Sequence, residues 1–250
     1  MHIKSVKLKN FGQFVDANIN FNTTKDKMLV LIEGCNASGK TTIFNAIKWC
    51  LFGDLVNIHG TILNRKIFNK LDVGSEISVE VEVAFVSEDK EYKMRKIQKM
   101  KKIEDVSDVK RMQTLFPIEV YTENIDTNNN IHKLDNISTI ADIVPAIVSD
   151  LMFIDPDGFR QFIENNTYVK SPIILDSPLC SFSLPEAKRI CSKLTNISEQ
   201  VIILSKDLDA DLIKEQLSDY ISDYAIINMT ENSDGTHDVL ESTIVVQNIA

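Results

Sequence analysis

Residues 34–42 read GCNASGKTT, and no other stretch narrows the choice of fold as much. From Gly34 to Thr41 the segment fits G-x-x-x-x-G-K-[ST] at every fixed position. The preceding "MLVLIEG" is a continuous apolar run, as in a strand buried on both faces. The following "TTIFNAIKWCLFG" spaces Ile43, Phe44, Ile47 and Leu51 as one helical face and stops at Gly53. A glycine-rich turn between a strand and a helix can cradle phosphate. Its glycines let backbone N–H groups close on the oxygens, and the helix N-terminus adds a favourable dipole. Gly34, Asn36, Ala37, Ser38, Gly39, Lys40, Thr41 and Thr42 are therefore the candidate nucleotide-binding residues. Lys40 is expected at the β and γ phosphates and the Thr41 hydroxyl on Mg²⁺.

A second motif, "IILDSP", delivers Asp176 from an apolar run, where a carboxylate can hold Mg²⁺. Many buried strands end in Asp, so this motif draws its weight from the phosphate loop upstream. Lys40 and Asp176 are far apart in sequence, further than kinases and small GTPases usually allow. Between them "EISVEVEVAFVSEDKEYKMRK" alternates Ile77, Val79, Val81, Val83 and Phe85 on one face, turns at "SEDKE", and resumes at Tyr92 and Met94, which predicts a β-hairpin. "HIKSVKLKNF" and "ANINF" read as half-exposed strands, "EQVIILSKD" as another buried strand, and "LPEAKRICSKLTN" as a helix with Pro185 near its start. "YAIINMTE" and "THDVLESTIVV" flank a turn, "NSDG". Residues 99–116 are charged and expected to be helical or loose, the Asn-rich stretch 123–136 turn-like, and 138–155 helical in part.

No apolar run approaches the roughly 20 residues of a membrane helix. The start, "MHIKSVKLKNFG", is unlike a signal peptide. Four cysteines without a C-x-x-C pair argue against a zinc site or disulfide framework and fit a reducing cytoplasm, and the four histidines are scattered. The net charge of −9 is uneven. Residues 1–150 hold 20 basic and 20 acidic side chains, and the rest hold 7 and 16. Such a balance fits a first half that meets polyanions. The basic run containing Lys93, Arg95, Lys96, Lys99, Lys101 and Lys102 is the candidate DNA contact, set against the plainer reading of a solvated hairpin face.

With these residues in place, "IKSVKLKNFGQF…LVLIEGCNASGKTTIFNAIKWCLFG" resembles the N-terminal half of SMC/RecF/RecN-type ATPase heads. The hairpin is similar to the β-meander of those heads, "SPIILDSPLCSFS" to their second-half motif, and "IVSDLMFIDPDGF" to a segment of the DndD-like branch, which restricts foreign DNA. The resemblance implies an α/β P-loop NTPase fold of the ABC head type: a mainly parallel core sheet, flanking helices and an antiparallel β-lobe. It implies one composite domain made of halves 1–165 and 166–250. It also implies ATP and Mg²⁺, a second head as homodimer partner, a nuclease or effector subunit, and DNA. Asp155 would sense Mg²⁺ and the γ-phosphate, and Asp176 would share the metal with Thr41. Ser177 stands where relatives often carry a glutamate base. The switch position, often histidine, falls at Ser205 to Asp207, and Ser183 stands in place of an acid. The long coiled-coil arm and the serine-glycine signature of such heads are missing between Phe162 and Ser171, so a junction near 163–169 is expected. A head without its signature should hydrolyse ATP poorly. A nucleotide-binding subunit that does not turn over, and a phosphotransferase, are the competing readings.

Overall fold

The computed structural model describes residues 1–53, 62–104, 112–114, 117–126, 130–143, 153–154, 156–165, 168–231 and 237–247. Within them the chain folds into two sheets with helices between and beside them. Strands β1 (His2–Phe11) and β2 (Phe14–Asn20) form the first hairpin. Strand β3 (Leu29–Gly34) then enters the second sheet and runs into helix α1 (Lys40–Phe52). A short helix, α2 (Arg65–Lys70), leads back to the first sheet. There β4 (Glu76–Ser87) and β5 (Lys90–Lys102) pair along their full length. Their loop is two residues, Glu88 and Asp89, both at positive φ, as a tight hairpin turn requires.

This antiparallel sheet is completed by β6 (Met112–Thr114), β7 (Glu119–Ile125) and β8 (Ile131–Lys133), in the order β2-β1-β4-β5-β7-β8 with β6 beside β5. Here the structure corrects one expectation. Lys99 to Lys102 continue β5, and Met112–Thr114 pair with it as a strand, so 99–116 is not helical where described. Hydrogen bonding to an existing sheet edge overrides a charged composition there. The Asn-rich stretch holds the end of β7 and all of β8, and between them Asp126 N–H donates to Asn130 O at 3.0 Å, a turn contact as expected.

The second sheet contains β3, then β9 (Phe153–Ile154), β10 (Ile173–Asp176), β11 (Val201–Ser205), β12 (Ile221–Glu231) and β13 (His237–Gln247), in the order β13-β12-β3-β11-β10-β9. Every pairing in it is parallel except β12 with β13. Helix α3 (Pro156–Glu164) covers residues whose helicity the sequence did not reveal, as does α5 (Asp207–Leu217). Helix α4 (Leu184–Leu194) is the expected one. Ser183 caps it: its N–H and hydroxyl both donate to Glu186, at 3.0 and 2.7 Å.

Period-2 alternation on the central strands makes two cores. Val30, Ile32, Ile174, Ile202 and Leu204 face α1, the buried Trp49 and the inner side of the antiparallel sheet. Leu29, Leu31, Ile173, Leu175, Val201 and Ile203 face α3, α4 and α5. Helix α1 is therefore sandwiched between the sheets, which explains its seven buried residues and its weak amphipathicity. Among the described residues no helix is long and apolar enough to cross a membrane. Strand β3, from the first half, lies between β11 and β12 of the second, so the halves share one sheet.

Candidate nucleotide-binding site

The loop leaves β3 at Gly34 and enters α1 through Gly39, with Ala37 at φ 64° and Gly39 at φ 110°. Those left-handed residues turn the backbone around a hollow. A Cβ on Gly39 would sit 2.9 Å from the Phe14 ring, and one on Gly34 would overlap Ser38 Oγ. Both glycines are thus required by close packing, and Gly39 by its φ as well. No side chain caps α1. The N–H groups of Lys40, Thr41 and Thr42, which lack intrahelical partners, are the natural ligands of an anion. Ser38 Oγ is buried without a hydrogen-bond partner among the described residues. Asn36 and Ala37 are exposed at the crest of the loop.

Lys40 is buried and folds back over the loop, donating to Gly34 O at 2.6 Å and Cys35 O at 2.8 Å. Burial lowers its pKa, and the nearby Asp176, Cys35 and Asp207 partly oppose that shift. Thr41 Oγ1 donates to Asp176 Oδ2 at 2.7 Å, closing a gap of 135 residues. This pairing follows from topology. Strand β11 separates β10 from β3, and the N-terminus of α1 crosses the ends of all three. Ser177, at φ 50°, donates its N–H to Leu204 O at 2.7 Å and its hydroxyl to Asp176 Oδ1 at 3.3 Å. Both oxygens of Asp176 therefore carry a hydroxyl donor. Ser205, at the end of β11, is fully buried and its Oγ has no partner among the described residues. Asp155 lies outside the described residues, as do 166 and 167 of the expected junction.

Sequence reasoning missed Gln13. Its Oε1 accepts the Thr42 hydroxyl, and its main-chain oxygen accepts Ser242 N–H at 2.9 Å. The phenylalanines around it gave a sheet signal, but nothing local marks a glutamine as part of a phosphate loop that begins 21 positions later.

The donor set fits a small hard cation. A hydroxyl and a carboxylate, Thr41 and Asp176, offer oxygen ligands at the rim of the anion hollow. Among the described residues no three His, Cys, Asp or Glu side chains cluster to hold a metal by themselves. The remaining ligands would have to be phosphate and water, as is usual for Mg²⁺. The unpartnered Ser38 hydroxyl inside the loop is a further donor for a phosphate oxygen.

The basic run is not one surface. Alternation along β5 puts Lys93, Arg95, Lys99 and Lys101 on one face and Lys96 and Lys102 in the interior. Lys96 donates to Trp49 O at 3.1 Å, at the C-terminal end of α1. Lys102 donates to Leu71 O at 2.8 Å and lies over the Phe68 ring, at the end of α2. Both are cations placed at helix C-termini, and both are withdrawn from the candidate DNA surface. On the outer face Arg95 pairs with Glu80, and Lys99 with Glu119 at 2.7 Å.

A family model described as "AAA domain" matches residues 5–234. Two solved structures share the fold over the whole chain. One is the SMC head domain from Thermotoga maritima, with TM-score 0.54, 15% identity and full coverage of both chains. The other is an SmcHead solved bound to the C-winged helix domain of ScpA, with TM-score 0.59, 11% identity and 98% of that chain covered. The SbcC subunit of nuclease SbcCD from Staphylococcus saprophyticus is 47% identical over 49 residues, 20% of this chain. Its counterpart in Staphylococcus aureus strain JH9 is 46% identical over 48 residues, 19% of this chain. Each match spans 5% of the relative's length.

Proposed function

The chain belongs to the AAA domain family, and from that premise we propose that it is the ATP–Mg²⁺-binding head of an SMC-like, DNA-associated ATPase. The contact that carries this reading is Thr41 Oγ1 to Asp176 Oδ2, which joins the phosphate loop to the second motif at one point. On this reading the Lys40 ammonium exchanges the Gly34 and Cys35 carbonyls for the β and γ phosphates. The N–H groups of 39–42 hold the phosphate oxygens, with Asn36 on the γ side. Thr41 and Asp176 would hold Mg²⁺, with Asp155 as a further proposed ligand. Bound there, the cation would supply charge neutralisation of the phosphates. Ser177 orients the Asp176 carboxylate through its hydroxyl.

In the complete protein, two such heads engage around nucleotide, and engagement is coupled to DNA sensing or processing in repair or defence. The short matches to a nuclease's SbcC subunit support a separate nuclease or effector as partner. The balanced charge of the first half supports DNA, with Lys93, Arg95, Lys99 and Lys101 as the contacts left on the outer face of the sheet. The DndD-like branch and a cytoplasmic setting complete the proposal.

A second reading, a nucleotide-binding subunit that does not turn over, is favoured by one observation. Ser177 occupies the position after Asp176, and a hydroxyl tied to a carboxylate is a poor proton acceptor at neutral pH. Titration calorimetry with ATP and Mg²⁺, followed by radiolabelled ATP turnover, separates the readings. Binding that Lys40→Ala abolishes, together with sustained turnover that Asp176→Asn removes, supports the ATPase. Binding without turnover supports the second reading. No binding by the wild-type chain overturns both.

A further inference from the structure

We propose that Gln13, on the hairpin turn between β1 and β2, is a nucleotide-binding residue that donates through its side-chain amide to the phosphate nearest the nucleoside. This rests on the phosphate-loop reading above. Thr41 and Thr42 are successive residues in the first turn of α1, and their side chains point to different partners. Thr41 turns to Asp176, which marks the metal side and the terminal phosphates. Thr42 turns to Gln13, on the side away from the metal. Because the Thr42 hydroxyl donates to Oε1, the amide NH₂ is left over. No described residue accepts from that NH₂, and Gln13 is only half-buried. A Cβ on Gly39 would lie 3.5 Å from Gln13 Oε1, so the side chain sits beside the phosphate loop, whose unpaired N–H groups in the first helical turn are natural ligands of an anion.

The turn that carries Gln13 is built to keep it there. Gly12, at φ 54°, packs so closely on Thr42 that a Cβ would overlap the Thr42 methyl. The Gly12 carbonyl accepts Asn64 Nδ2 at 2.8 Å, and the Gly12 N–H donates to Ile62 O at 2.8 Å. The Gln13 carbonyl accepts Ser242 N–H from β13, and Phe14 packs against Gly39. Three separate segments, the loop that enters α1, residues 62–64 and β13, thus hold this turn against the first turn of α1.

The test uses Gln13→Glu, which keeps the shape and keeps an acceptor for Thr42 but replaces the donor with negative charge. ATP and ADP dissociation constants are measured by calorimetry with Mg²⁺ for wild type and variant. Both nucleotides should weaken at least about tenfold and by similar factors, since one hydrogen bond to a charged group is lost and both ligands carry that phosphate. Gln13→Met, which lacks donor and acceptor alike, should also weaken both, and it serves if the glutamate variant fails to fold. Variants that bind both nucleotides within about twofold of wild type overturn the assignment while leaving the head reading intact. A wild-type chain that binds no nucleotide overturns the head reading itself.

Discussion

Lys96 shows how one residue can be misjudged from its neighbours in sequence. Amid lysines and arginines it reads as part of a polyanion-binding face, yet it is 2% exposed, and desolvation lowers its pKa. A lysine with a depressed folded pKa binds fewer protons folded than unfolded, so its burial opposes folding near neutrality. That cost fades as pH rises toward the unfolded value of about 10.4. Lys96→Met removes the buried cation, and Trp49 O keeps its bond from Gly53 N–H at 2.9 Å. The stability of wild type relative to this variant should therefore rise as pH is raised toward that unfolded value in urea titrations. Lys96→Met and Lys102→Met should leave the salt-dependent binding of duplex DNA unchanged, whereas Lys93→Glu with Lys101→Glu should weaken it severalfold. Equal losses from both pairs would show that the interior lysines act at the surface after all. At this scale, the phosphate-loop residues were legible because a contiguous motif fixes them. The fates of Lys96 and Lys102 were not, because they depend on which face of β5 meets α1 and α2.

At the scale of the element, α1 is set by both its ends. Gly39 starts it at φ 110° and Gly53 stops it at φ 76°, where the backbone N–H returns to Trp49 O. Gly39→Ala would strain φ and press a Cβ 2.9 Å from the Phe14 ring, so ATP binding measured by calorimetry should fall at least tenfold. Helix α2 depends on Asn64, which is fully buried. Its Oδ1 accepts Ile67 N–H at 3.0 Å as an N-cap, and its Nδ2 holds Gly12 O. Asn64→Ala should cost about 2–4 kcal/mol by urea unfolding, the sum of a lost cap and a buried carbonyl left unpaired. The strands and α1 were readable because their burial is periodic. β6, α3 and α5 were not, since composition alone does not say that a charged segment will pair with a neighbouring edge or pack beneath a sheet.

Across the whole molecule, Gln200 ties the two sheets together. It is fully buried just before β11, and its amide mimics a strand partner. Oε1 accepts Ile3 N–H at 2.7 Å, and Nε2 donates to Ile3 O at 2.8 Å. Gln200→Leu would orphan both groups of Ile3 and should cost about 2–5 kcal/mol by urea unfolding. A loss under about 1 kcal/mol would mean that water reaches Ile3 and the clamp is dispensable. The phosphate loop, the strand before it, the helix after it and the apolar strand that ends in Asp176 are all specified locally. Each is written in consecutive residues, where backbone geometry and side-chain period act locally. That Asp176 meets Thr41, that Gln13 meets Thr42 and that two lysines of a basic run are interior follows only from the folded arrangement. Those outcomes depend on strand order and on the side of the sheet against which α1 packs, and both are settled by burying apolar faces between segments far apart in the chain.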